Sequence, residues 1–330
     1  MTFQKSLATV FAVLVLAGHA DAASLKKVDL SRGYSEGCIV SRPVFDTAGV
    51  GPIEITVFRE AYDKNQNVIR PKGKAIGGKV KIDKKLDLGT VFAEALRTEA
   101  PKLGFATGSG GWKIGGEIQE IYVDHWKAGM GFGAVLMYTS MTVKFEVQSP
   151  TGERHESTQR LLGYYVGGFR ADTALARQII FAAQDALARL NASTFKAPAH
   201  TGVAKMLEEL RGAQVANAKD LIRMIGLSGS REAVAPLLEK LRMEQDEGDR
   251  NFLVEALAVV GSGDVLEVLS SRYAGEDVDN RLATLKAYEY AGSASARRLA
   301  GDAAKDPDDY LKRLAREIAD GASLRGTAKK

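Results

Sequence analysis

The architecture of the C-terminal half is set by residues 253–281, LVEALAVVGSGDVLEVLSSRYAGEDVDNR. The Val-Gly-Ser at 260–262 returns 31 positions later as Ala-Gly-Ser at 291–293. Ser-Gly-Ser at 228–230 precedes it by 32 positions, and a weaker Asp-Gly-Ala at 320–322 follows after 29. A fixed period near thirty residues indicates a repeat array.

A helix precedes each Gly-Ser pair and a second helix follows it, as the apolar spacing of 250–260 and 264–271 shows. The glycine is expected to end the first helix, where positive φ is common, and the serine to cap the second. One helix pair cannot bury its apolar stripe alone, so neighbouring pairs must stack. We therefore expect a short all-α solenoid over residues 203–330.

The repeated units resemble HEAT-like repeats of the short, bacterial kind. The resemblance rests on the arginine that opens the first helix of a unit, and on the acid or amide before it: Arg250 and Arg281, Asp249 and Asn280. It implies a fold that serves as a binding surface, and it transfers no functional residue. We expect Arg250 and Arg281 to form a structural ladder between neighbouring units.

The clearest strand pattern of the first half lies in residues 135–147, where apolar side chains occupy every odd position except Thr139 and most even positions are polar. Such alternation predicts a strand with one buried and one wet face. Turn residues at 149–152 and an extended segment at 158–166 predict an antiparallel hairpin. The pattern favours one sheet with a single covered face.

Further strands are predicted at 37–45, 53–62 and 112–124. One amphipathic helix follows Asp87, a good N-cap, and another begins near Asp172. The predicted fold class is α+β: an N-terminal antiparallel sheet packed by two helices, followed by a short all-α HEAT-like solenoid.

The order of these elements, with Leu103-Gly104-Phe105 at the end of the first helix, resembles that of the YajG-type lipoproteins of the Gram-negative cell envelope. The resemblance covers about residues 36–195 and implies a non-catalytic α+β domain over 23–195. The chain departs from the family because no lipid-attachment cysteine follows its leader. Residues 196–202, small and broken by a proline, predict a linker with hinge motion.

Residues 1–22 are typical of a secretory signal peptide. Lys5 gives the positive start, residues 7–17 an apolar run too short to span a bilayer, and residues 20–22 a small-x-small cleavage site. We expect cleavage after Ala22 and a periplasmic protein. Cys38 is the only cysteine, so no disulfide can form within the chain.

The formal net charge of +4 is too small to indicate a nucleic-acid binder. A basic run between residues 64 and 85 is most often a solvated hairpin, but it also suits an acidic partner or an anionic membrane surface. Its central candidates for partner contact are Lys79, Lys81, Lys84 and Lys85.

An aromatic cluster beside glycines is the second candidate contact surface: Trp126, Phe132, Tyr164, Tyr165 and Phe169. Packing at the end of a hairpin is the alternative interpretation of these residues. No catalytic, cofactor or metal motif is present, so we expect no cofactor and no metal.

We expect a non-enzymatic periplasmic adaptor or scaffold that binds another component of the cell envelope, an envelope protein or complex. The alternative hypothesis is an exported hydrolase in which acids such as Glu120 and Asp124 act in a cleft between the two halves.

Overall fold

The computed structural model describes residues 24–34, 37–62, 69–71, 81–83, 85–127, 135–167, 171–261 and 263–321; for several residues near strand and helix ends it describes the backbone only. The predicted signal peptide, at residues 1–22, lies outside the described residues. A β-sheet and a set of helices make up the described chain, which confirms the α+β class.

The strands are β1 Ser24–Leu25, β2 Ile53–Glu60, β3 Ile69–Pro71, β4 Lys81–Ile82, β5 Trp112–Lys127, β6 Val135–Gln148 and β7 Arg154–Gly167. The large sheet has the order β2-β5-β6-β7, with β3 also pairing with β5 beyond the end of β2. A parallel pair of β1 and β4 forms a separate small sheet.

The predicted hairpin is confirmed, because β6 and β7 pair antiparallel along their whole length around the turn at 149–152. The wholly antiparallel sheet was wrong: β2 and β3 run parallel to β5. A helix intervenes between β2 and β5, and such a crossover returns the chain in the same direction.

The predicted strand at 37–45 was also wrong, and only Phe45 forms an isolated bridge, with Ala199. Gly37 has φ +82°, and the backbone N–H groups of Gly37 and Ile39 donate to the Asp220 carboxylate at 2.6 and 3.1 Å. Backbone donors that serve a side chain cannot also serve a strand ladder.

Ten helices lie in the described chain: α1 Leu88–Leu103, α2 Ala171–Leu190, α3 Gly202–Gly212, α4 Lys219–Leu227, α5 Val234–Met243, α6 Glu247–Val260, α7 Gly263–Arg272, α8 Val278–Ala291, α9 Ala294–Ala303 and α10 Asp309–Asp320. Helices α1 and α2 cover one face of the sheet. Asp87 caps α1 by accepting from Thr90 N at 3.0 Å, and Gly104 ends it with φ +107°, as predicted.

The core between sheet and helices is built from odd positions of β6: Met141, Val143, Phe145 and Val147 are buried, as predicted. The predicted wet face was wrong at Ser140 and Thr142, because both are buried as well. Phe58 and Phe92 pack against Phe145, with ring centroids 5.7 and 6.3 Å away. Aromatic side chains bury large apolar areas, and this cluster fixes α1 on the sheet.

The repeated glycines adopt positive φ, as predicted: 62° at Gly229, 65° at Gly261, 58° at Gly292 and 62° at Gly321. The serine cap is confirmed at Ser293, whose Oγ accepts from Ala296 N at 3.1 Å. It was wrong at Ser230, because a 3-10 turn intervenes there and the side chain forms no cap hydrogen bond. Ser262 lies outside the described residues.

Helices α4, α6 and α8 pack side by side, with α5, α7 and α9 on their outer side. Arg250 lies 3.1 Å from Glu276, and Arg281 lies 3.2 Å from Asp306. Each acid precedes the first helix of the next unit, so the predicted arginine ladder is confirmed.

The segment 196–202, predicted as a linker, is packed rather than free. Asp46 N donates to Pro198 O at 2.9 Å, and His200 N donates to Val44 O at 2.8 Å. One apolar core runs through both halves of the described chain. These contacts oppose the hinge motion expected at this position, because such motion would break them.

Candidate functional site

The predicted aromatic residues share one end of the large sheet. Trp126 pairs with Leu136, and the tyrosines at 164 and 165 pair with Tyr138 and Met137. The backbone register thus brings Trp126, Tyr164 and Tyr165 together on three adjacent strands. Phe132 and Phe169 lie outside the described residues.

Part of the basic run reaches the same end of the sheet, because β3 pairs with β5 and places Arg70 opposite Asp124. Lys81 lies on β4, opposite Ser24. Lys85 is exposed, and its backbone N donates to Asp83 Oδ1 at 2.9 Å. Lys79 and Lys84 lie outside the described residues, so the contact role of the four lysines stays a prediction.

The sheet face opposite α1 and α2 is open to solvent near the β6–β7 turn. Cross-strand pairing aligns side chains in rows on this face. One row crosses β5, β6 and β7 at Lys113, Gln148 and Arg154. The next row crosses the same strands at Gly115, Glu146 and Glu156.

A shallow depression of about 380 Å³ lies in this face. Gly115 contributes no side chain to it, and a Cβ there would stand 2.3 Å from Thr56 Oγ1. Val57 lies on a bulge of β2 beside the depression and is 74% exposed. We call this surface the open-face groove, formed mainly by Thr56, Val57, Lys113, Gly115, Glu146, Arg154 and Glu156.

The charges of the open-face groove are partly paired. Glu146 lies 3.3 Å from Arg59, and Glu156 lies 2.8 Å from Lys144. Lys113 and Arg154 are exposed and have no carboxylate within ion-pair distance among the described residues. One rim of the groove is therefore positive and available to an acidic group.

The two acids of the hydrolase hypothesis both lie on β5. Glu120 is exposed, follows a bulge in β5, and lies opposite Thr142. Asp124 lies further along the same strand, between Tyr138 and Arg70. The side chain of Asp124 lies outside the described part of the structure, so the hydrolase hypothesis stays a prediction.

The histidines have ordinary surroundings where their side chains are described. His155 Nε2 lies 3.5 Å from Glu153, and His200 Nδ1 accepts from Gly202 N at 3.0 Å. Among the described residues, no group of three or more His, Cys, Asp and Glu side chains has an arrangement that would hold a metal ion. No helix in that part of the chain has the length and apolar character needed to cross a bilayer.

A buried polar network joins the sheet-bearing half to the repeated helices. Asp185 Oδ1 of α2 lies 2.7 Å from Arg223 Nη2 of α4, and Asp185 Oδ2 lies 2.9 Å from Lys286 Nζ of α8. Tyr290 donates to the same Oδ2 at 2.6 Å. Burial alone would raise the pKa of Asp185, but the two cations outweigh it and lower the pKa to about 2.

Sequence reasoning missed this network, although a signal was present. Arg223, Glu255 and Lys286 recur at intervals of 32 and 31, the same as the first glycine intervals. We call these three residues the charged column; Lys286 contacts Glu255 within it. The column lies against α2, so this side of the repeated helices is covered by the chain itself rather than open to a partner.

A second group of acids lies where α6 and α8 begin. Asp277 caps α8 by accepting from Asn280 N at 2.8 Å. Burial, with the nearby carboxylates of Asp277 and Glu247, raises the pKa of Asp279 to about 7. The Asp279 carboxylate therefore changes its charge near neutral pH.

A scan against models of known protein families gives no match for this chain, and a search of curated proteins finds no relative.

Proposed function

We propose that the protein is a non-enzymatic adaptor of the periplasm that binds another component of the cell envelope through the open-face groove. The observation that carries the proposal is the exposed sheet face, with Val57 at its rim and Lys113 and Arg154 free of carboxylate partners within the described chain. An extended partner segment with an acidic group and a small apolar side chain fits this chemistry.

The N-terminal pattern of a positive start, an apolar run and a small-x-small site supports the proposed location. The two fold families are likewise our proposals. Positive-φ glycines, stacked alternate helices and the arginine ladder support HEAT-like units. The paired β6–β7 hairpin and the two helices on one sheet face support a YajG-like domain, although the parallel β2 departs from the expected sheet.

The aromatic end of the sheet is proposed as a second contact surface, because Trp126, Tyr164 and Tyr165 lie on adjacent strands there. Arg70 on β3 adds a cationic residue opposite Asp124. An anionic membrane surface is the other occupant considered for this end, and its binding would weaken as salt rises.

The test uses the full chain, expressed with its own N-terminal segment and recovered from the periplasm. A photocrosslinking amino acid at Val57 should yield one defined adduct with an envelope protein. The double reversal Lys113→Glu/Arg154→Glu should reduce that adduct at least tenfold, because like charges then meet the acidic group of the partner.

The matched control is Lys205→Glu/Arg211→Glu, which makes the same charge change at exposed positions on α3. This control should leave the adduct unchanged. Equal yields from both reversals, or no adduct from Val57, would contradict the assigned surface. Turnover of an envelope substrate that is abolished by Glu120→Gln would favour the hydrolase instead.

A further inference from the structure

A second concave site lies where the repeated helices meet the chain that leaves α2. This junction cleft has a volume of about 350 Å³. One wall consists of the end of α2 and the turn that follows it, including Arg189, Asn191 and Lys196. The opposite wall consists of the Ser228-Gly229-Ser230 turn after α4 and the last residues of α6, Val259 and Val260.

Only two side chains that line the junction cleft are charged, and both are cations; every lining residue lies in the described part of the chain. Lys196 is exposed and forms no ion pair there. Arg189 stacks on the Tyr290 ring at 4.3 Å and donates to the Arg160 carbonyl oxygen at 3.3 Å. Neither cation has a carboxylate partner within the described residues, so this wall attracts an anionic group.

The backbone holds Lys196 in an unfavourable conformation. Its φ of 60° makes it the one non-glycine residue with positive φ in the described chain. Asn191, which is buried, fixes this conformation: its carbonyl accepts from Lys196 N at 2.8 Å, and its side chain bonds both the N and the O of Ala197. Glycine or asparagine would adopt this conformation with less strain. Strain of this kind is concentrated at functional sites.

The opposite wall has no charged side chain, whereas the two cations of the first wall outweigh the partial negative charge at the end of α2. Helices α4 and α6 both end at the cleft, and the C-terminal end of a helix carries partial negative charge. That wall favours a hydrogen-bond donor or an ammonium group. The remaining lining is apolar, with Phe45, Leu227, Val259 and several alanines.

We propose that the junction cleft binds a small zwitterion with an apolar side chain, such as a free amino acid or a dipeptide. Its carboxylate lies against Lys196 and Arg189, its ammonium group faces the ends of α4 and α6, and its side chain packs between them. The cleft volume falls in the range of small-molecule sites. This proposal is independent of the open-face groove.

The test is calorimetric titration and thermal unfolding of the full chain with apolar L-amino acids and their dipeptides. L-leucine is the reference probe; 4-methylpentanoate lacks only its ammonium group, and 3-methylbutylamine lacks only its carboxylate. At least one zwitterion should bind and raise the melting temperature, and its analogue lacking either charge should bind at least tenfold more weakly. Absence of binding by every zwitterion, or equal binding by the carboxylate alone, would overturn the proposal.

The decisive variant is Lys196→Gly, because it removes the charge and relieves the backbone strain. It should keep or raise the melting temperature while weakening the zwitterion at least tenfold, whereas Lys196→Arg should retain binding. The control is Lys305→Asn, which removes a lysine charge at an exposed position that does not line the junction cleft. This variant should leave zwitterion binding unchanged. Unaltered binding by Lys196→Gly would refute the assigned role.

Discussion

Replacing Asp185 by asparagine tests whether the buried network holds the two halves together. The change removes the negative charge between Arg223 and Lys286, which are 3% and 1% exposed. The fall of the Asp185 pKa from 3.8 to about 2 corresponds to roughly 2–3 kcal/mol of stability. Breaking a buried ion pair costs about 3–5 kcal/mol. We therefore expect Asp185→Asn to lower the free energy of unfolding by about 2–5 kcal/mol.

The assay is urea unfolding followed by far-UV circular dichroism at pH 7. Glu209→Gln serves as the comparison, because it removes the carboxylate of the exposed Arg42–Glu209 pair and should change the free energy of unfolding far less than Asp185→Asn. The folded pKa of Asp185 lies below its unfolded value, so its contribution is present above about pH 4 and is lost as the pH falls through about 2. The variant should lose this part of the acid dependence.

A combined replacement separates the charge from the shape of the network. Asp185→Leu/Arg223→Leu/Glu255→Leu/Lys286→Met removes the four charges together, and we expect it to be more stable than Asp185→Asn. Surface substitutions typically change the free energy of unfolding by no more than about 0.5 kcal/mol. If the free energies of unfolding of Asp185→Asn and the unmodified chain differ by no more than this, the network does not hold the halves together and the reasoning is refuted.

Two further changes test local features. Asp279→Asn should raise the free energy of unfolding at pH 8 by about 1–3 kcal/mol. The folded pKa of Asp279 is raised, so the unmodified chain loses stability as the pH rises from about 4 through 7. Chemical unfolding should show that the free energy of unfolding of the variant depends less on pH across that range. Gly116→Ala should lower the melting temperature, since a Cβ would stand 2.0 Å from Lys144 O at a φ of +152°, whereas Gly49→Ala meets open space and should be neutral.

The parts of the fold that depend on neighbouring residues could be predicted from the sequence. The β6–β7 hairpin follows from strict alternation and a turn-rich link, and the ends of α6 and α8 follow from glycines that adopt positive φ. Arg250 and Arg281 were assigned correctly because their spacing equals the repeat period.

The features that depend on distant partners could not be predicted. Residues 37–45 were predicted as a strand, but Asp220, far along the chain, accepts the N–H groups of Gly37 and Ile39 that a strand would use. The strain at Lys196 depends on the buried Asn191, and nothing local marks a lysine for positive φ. The open-face groove arises from the parallel placement of β2, which fixes where Val57 and Gly115 meet.

The charged column has a consequence for how the chain can evolve. Arrays of helix pairs commonly grow when a unit is duplicated, since each pair contacts only its neighbours. Here the column alternates in sign: its two cations, Arg223 and Lys286, contact the Asp185 carboxylate from outside the array, and Glu255 contacts Lys286. An additional unit would place another charged side chain in this buried interior without a counter-ion. The number of helix pairs is therefore limited by the single carboxylate of Asp185.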